Sequence, residues 1–189
     1  MLFRSQFGID CYGNVQNGCA WPGTGGQCSG RKFPILFAGA VLHDDAMLRI
    51  GLTHPSVLVA PNDGRNAAWF GEDSQTFYVQ ETSPGIFNWG IGGYSSTERG
   101  LPEWGNAHIL NPSLDHASWE TDSYRRCCTA NAWIGQVLAA RLMGLAAAWN
   151  HPALFDYMDR YLAIEPYPSW TRAWEPWQDE MWRALRRDN

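Results

Sequence analysis

Residues 129–164 read TANAWIGQVLAARLMGLAAAWNHPALFDYMDRYLAI, and the fold class is decided in this stretch. From Thr129 to Ala148, Trp133, Val137, Leu138, Ala140, Arg141, Met143 and Gly144 recur in a helical frame rich in Ala and Leu, both strong helix formers. Ala139, Ala140, Gly144 and Ala147 are small enough to let another helix approach closely. Trp149-Asn150-His151 reads as a short turn, with Asn150 or His151 as cap and Pro152 at the first helical position, where its missing N–H is no loss. A second helix is expected from Pro152 to Ile164, burying Leu154, Phe155, Met158 and Leu162, until Pro166 and Pro168 stop it. On it, Asp156 and Arg160 form an i,i+4 structural pair. Beyond this hairpin, Pro176 opens a last amphipathic helix to about Arg187. Trp170, Trp174, Trp177 and Trp182 lie close to one helical stripe, expected to bury against the hairpin.

Towards the N-terminus the pattern loosens. Phe7 to Gly30 is rich in Gly and turn residues, and it reads as an ordered loop anchored by Ile9, Tyr12 and Trp21. A helix follows with Ser29 as N-cap, Pro34 in its first turn and Phe33, Leu36, Phe37, Ala40 and Val41 at helical spacing. A second helix from Asp44 to Ile50 completes an αα-hairpin. Leu52 to Asp122 reads as loop, punctuated by Pro and Gly, with one strand-like stretch at Thr76–Gln80.

The 189 residues suit one domain (1–189) with a sizeable core. Net charge is −5, so the chain lacks the basic field that a phosphate-backbone binder needs, and nucleic acid is not an expected partner. No apolar run approaches the roughly 20 residues of a spanning helix, so no membrane partner is expected. The N-terminus lacks a signal peptide's apolar region; the chain is expected to be soluble, with an exported longer form left open. Of the five Cys, none forms C-x-x-C. Buried thiols come first, a bridge from the Gly-rich segment to Cys127-Cys128 second and a metal cluster last; no metal is expected. No phosphate-cradling G-x-x-x-x-G-K-[ST] occurs, and no cofactor is expected. Eleven Trp is the outlier. Flat aromatic faces suit stacking on the apolar C–H faces of sugar rings, with the indole N–H left to find a partner.

The strings RKFPILFAG (31–39), FGEDSQTFYV (70–79), LPEWG (101–105), CCTANAWIGQVLAARLMG (127–144) and WNHPALFDYMDRY (149–161) resemble the C-terminal part of (α/α) toroid proteins. That group includes alginate- and heparinase-type polysaccharide lyases and six-hairpin glycosidases. The resemblance implies a mainly α fold, αα-hairpins of a partial (α/α) toroid with long aromatic- and Gly-rich loops, and a polysaccharide or oligosaccharide partner. No catalytic motif of one family maps residue by residue. A complete toroid needs more helices than this chain supplies, so a fragment, or a homo-oligomer that completes the ring, is expected.

Two chemistries follow. Glycoside hydrolysis needs two carboxylates about 5–10 Å apart, and Glu72, Asp73 and Glu103 lie on aromatic-flanked loops, Trp104 beside Glu103. A lyase needs an acid/base group and neutralisers of a uronate. Tyr12, Tyr94, Tyr124 and His108 are candidates for the first; Asn14, Asn131, Arg31 and Arg125 are candidates for the second. Arg31 and Lys32, at a helix start, could hold a carboxylate or sulfate. Trp21, Trp69, Trp89 and Trp104 are the expected stacking faces. The competing reading, of a different class, is a non-catalytic carbohydrate-binding or assembly module.

Overall fold

The structure is a computed structural model, and it describes residues 2–21, 23, 25–58, 66–67, 69–87, 94–105 and 125–186. It is mainly helical. In chain order the helices are α1 (Leu2–Gln16), α2 (Lys32–Leu42), α3 (Asp45–Leu48), α4 (Ile50–Thr53), α5 (Gly71–Gln75), α6 (Ala130–Leu142), α7 (Ala146–Trp149), α8 (Pro152–Ile164) and α9 (Pro176–Leu185). The strands are short: β1 (Val57–Leu58), β2 (Asn66–Ala67), β3 (Thr76–Tyr78), β4 (Glu81–Ser83), β5 (Ile86–Phe87) and β6 (Pro102–Trp104). They pair antiparallel as β1–β2, β3–β6 and β4–β5. No helix among the described residues is long and apolar enough to cross a membrane.

The largest departure from the sequence reading is α1. Half of the supposed Gly-rich loop is helical, because packing overrides the poor propensity of Gly8 and Gly13. Ser5, Gly8, Cys11 and Val15 are buried at helical spacing and form a narrow stripe of mostly small residues against α2. A Cβ on Gly8 would lie 2.1 Å from the Pro34 carbonyl oxygen, so the approach requires glycine. Ile9, an expected anchor, points outward at 40% exposure.

The other corrections are local. Lys32 begins α2 without a side-chain cap from Ser29; the N-cap is Arg31. The expected helix over 44–50 is two single turns, the first capped by Asp44 accepting from the Met47 N–H at 3.0 Å. The long helix over 129–148 begins as a π turn at Arg125–Thr129 and breaks at Gly144, whose φ of 69° marks a helix end. Asn150, at φ 56°, closes α7, and its amide donates to the Gly51 carbonyl at 3.0 Å. Helices α8 and α9 lie as the prolines predict. Asp156 and Arg160 do not pair with each other: Asp156 accepts from Tyr78, and Arg160 reaches Glu103. Asp159 instead bridges Arg141 and Arg186, each at 2.7 Å.

One core joins these elements from Cys11 to Trp182, with Trp104, Trp133, Trp149, Tyr157 and Tyr161 among its largest fully buried side chains. A smaller cluster of Phe77, Val79, Phe87 and Tyr94 lies around the strands. Cys127 and Cys128 are disulfide-bonded to each other, which is neither the buried thiols expected first nor the bridge to the Gly-rich segment expected second. Cys11 is a buried free thiol, Cys28 half-buried, and Cys19 exposed.

Candidate functional site

Helix α5 carries Glu72 and Asp73 in its first turn, where peptide dipoles favour acids, and all five of its residues are buried. Gly71 allows it to lie against the Cys28–Ser29 backbone, where a Cβ would meet Cys28 at 2.8 Å. Asp73 accepts from Trp149 Nε1 at 2.8 Å and forms an ion pair with the fully buried Lys32. The Lys32 ammonium also lies 5.3 and 5.7 Å from the Phe70 and Trp149 ring centroids, within cation–π range. Glu72 accepts from the Gly30 N–H at 3.0 Å, and its Oε1 is buried with no hydrogen-bond partner among the described residues. Burial first, and the Asp73 charge second, raise the Glu72 carboxyl from 4.5 to about 7. The helix start expected to take a substrate anion therefore takes the chain's own carboxylates.

His151 closes this cluster. Its Nε2 lies 2.9 Å from Thr76 Oγ1 and 3.0 Å from the Thr76 carbonyl oxygen. A carbonyl only accepts, so Nε2 carries the proton. Burial, the largest influence, lowers the ring's pKa and favours the neutral form.

Strand β3 leads from α5 to a second cluster. Phe77 is the register partner of Glu103 on β6. Glu103 Oε2 accepts from Tyr94 OH at 2.7 Å and Arg125 Nη2 at 3.2 Å, while Oε1 is ion-paired with Arg160. The Arg125 guanidinium lies 5.5 Å from the Trp104 ring centroid. Burial, reinforced by the Glu103 charge, raises the Tyr94 phenol well above its ordinary range. Four of the five expected catalytic residues thus gather in two places, Glu72 with Asp73 and Tyr94 with Glu103, and all four side chains are buried. His108, Trp89 and Tyr124 lie outside the described residues.

The expected substrate-binding residues separate. Trp104 is 0% exposed, so it cannot offer a stacking face. Arg125 is buried and occupied by Glu103, and buried Asn131 donates to the Cys127 and Trp170 carbonyls at 3.4 and 3.5 Å. Arg31 donates to Ser29 O at 2.8 Å. Trp21 is half-buried and stacked on Phe70 at 6.2 Å; Trp69 is half-buried against His54 at 4.6 Å. Tyr12 packs at the core's edge and Asn14 is exposed.

The exposed aromatic site lies elsewhere. Trp170 and Trp174 are 55% and 56% exposed, and Trp177 is likewise exposed; of the four C-terminal tryptophans expected to be buried, only Trp182 is. The stripe fails because 165–175 is not helical, leaving only Trp177 and Trp182 on α9. Pro166, Pro168 and Pro176 carried that signal. A cleft of about 260 Å³ is lined there by Tyr167, Trp170, Trp174, Pro176, Asp179 and Glu180, among others. The Trp170 and Trp174 ring centroids are 5.9 Å apart with planes inclined at 50°. Asp179 is fixed beneath by Arg172 Nε and Nη2 at 2.6 and 3.0 Å. Among the described residues no group of three or more His, Cys, Asp or Glu is placed to hold a metal ion. No family model, curated protein or solved structure matches the chain.

Proposed function

We propose that this chain is a carbohydrate-active protein that holds a polysaccharide or oligosaccharide in the Trp170–Trp174 cleft, on helices belonging to a partial (α/α) toroid. The single observation carrying this reading is the pair of exposed indoles beside carboxylates. Aromatic faces supply stacking surface, and the exposed Glu180 carboxylate accepts hydrogen bonds from sugar hydroxyls. The test is affinity electrophoresis in native gels containing a polysaccharide panel. Wild-type protein is expected to be retarded by at least one polysaccharide, and Trp170→Ala and Trp174→Ala are each expected to lose most of that retardation. Unchanged retardation in both variants would place sugar binding elsewhere.

A second reading, catalysis as a lyase or glycosidase, is favoured by the convergence of Tyr94, Glu103 and Arg125 from three separate segments. It predicts new reducing ends or unsaturated uronate absorbance on the same panel, abolished by Tyr94→Phe with binding retained. Neither product, with binding intact, selects the non-catalytic module. Completion of the toroid by a second copy predicts a dimer in light scattering, and a monomer at all concentrations would remove it.

A further inference from the structure

We infer that the Trp170–Trp174 cleft selects single, twisted chains of uncharged sugars and rejects uronate chains; this rests on the carbohydrate reading proposed above. The charge of the lining decides the first half. Asp179 and Glu180 are the charged residues lining the cleft, and no Lys or Arg lines it among the described residues. Two guanidinium groups lie against residues of the lining. Arg172 is buried, its nitrogens donating to both Asp179 oxygens, to Leu162 O at 2.7 Å and to Glu165 O. Arg183 lies 4.0 Å from the centre of the Tyr167 ring. Glu180 is exposed and makes no ion pair among the described residues. A uronate entering the cleft meets the exposed Glu180 carboxylate with no Lys or Arg on the lining to offset it among the described residues, whereas sugar hydroxyls find an acceptor there.

Ring geometry decides the second half. Planes inclined at 50° and only 5.9 Å apart cannot both lie flat on one planar surface. They can grip two sugars whose faces turn relative to each other. A dissolved chain with a twisted backbone meets that demand; the flat face of a crystalline polysaccharide does not.

The experiment uses the whole chain in affinity gels containing mixed-linkage β-glucan, galactomannan, polygalacturonate or alginate, with a parallel pull-down on microcrystalline cellulose. At low salt at least one uncharged chain is expected to bind about tenfold more tightly than either uronate. Trp170→Ala and Trp174→Ala are each expected to weaken that binding about tenfold, and Trp170→Phe to retain most of it. Glu180→Gln is expected to strengthen uronate binding several-fold and narrow the difference, as added salt does by screening. Circular dichroism of each variant separates lost binding from lost folding.

Uronate binding equal to or tighter than uncharged binding, with Trp170 dependence, overturns the selectivity and leaves the carbohydrate reading standing. Adsorption to microcrystalline cellulose without binding to dissolved chains overturns the twisted-chain half. Binding indifferent to both tryptophans removes the cleft as the site. Failure of every polysaccharide to bind removes the parent reading as well.

Discussion

At the scale of single residues, Glu72 and Lys32 are the side chains whose burial has the largest consequences. Folding raises the Glu72 carboxyl from 4.5 to about 7, so between those values the folded chain retains a proton that the unfolded chain releases. Its contribution to stability is therefore full below about 4.5 and is lost as the pH climbs through about 7, a change on the order of 3 kcal/mol. Glu72→Gln keeps the neutral shape without the titration. Urea unfolding at about pH 5 and about pH 8 should show wild type losing roughly 2–3 kcal/mol more than the variant over that interval. Parallel pH profiles would contradict the burial argument. Lys32 is fully buried between two aromatic rings with Asp73 as counter-ion. Lys32→Met leaves that carboxylate buried without its cation, and a loss of about 3–5 kcal/mol is expected. Lys32→Met with Asp73→Asn should recover a measurable part. If the double variant is no better than the single, the charge pairing is not what holds α2 against α5.

At the scale of elements, two glycines in one helix make opposite predictions. Around Gly13 nothing lies within 4 Å of the point an added methyl would occupy, so Gly13→Ala should stabilise α1 by roughly 0.5–1 kcal/mol through helix propensity. Gly8 meets the Pro34 carbonyl, so Gly8→Ala should destabilise by roughly 1–3 kcal/mol despite the same propensity gain. Chemical denaturation of both variants checks the pair, and equal signs would refute the packing account of α1. This helix also marks how far the fold is legible in the sequence. Helices α8 and α9 announce themselves by apolar periodicity and prolines at their starts. The stripe of Ser5, Gly8, Cys11 and Val15 has the same period but is built from small or weakly apolar side chains, and its glycines read locally as loop. Only contact with α2 makes it a helix. The clusters around Glu72 and Glu103 are legible as residues and not as environments. Nothing in FGEDSQ or LPEWG indicates that Lys32, Arg125 and Arg160 arrive from distant segments to occupy their carboxylates.

At the scale of the whole molecule, the tryptophans divide between interior and surface in a way their number alone conceals. Trp104, Trp133, Trp149 and Trp182 are core; Trp170, Trp174 and Trp177 face solvent. Sequence alone puts sugar stacking in the loops and burial at the C-terminus, and the second expectation holds at Trp182 and fails at Trp170, Trp174 and Trp177. The physical reason is proline: it withholds helical structure from 165–175, so two indoles that would share a buried stripe flank an open cleft instead. This cleft and the closed charged clusters answer to separate tests, since Trp170→Ala should leave urea stability within about 0.5 kcal/mol of wild type, as exposed substitutions usually do. The most direct measurement is a calorimetric titration of wild type and Trp170→Ala with a soluble uncharged glycan. Saturable binding that weakens about tenfold in the variant, equivalent to about 1.4 kcal/mol, is the predicted result. Identical isotherms for the two proteins would contradict it.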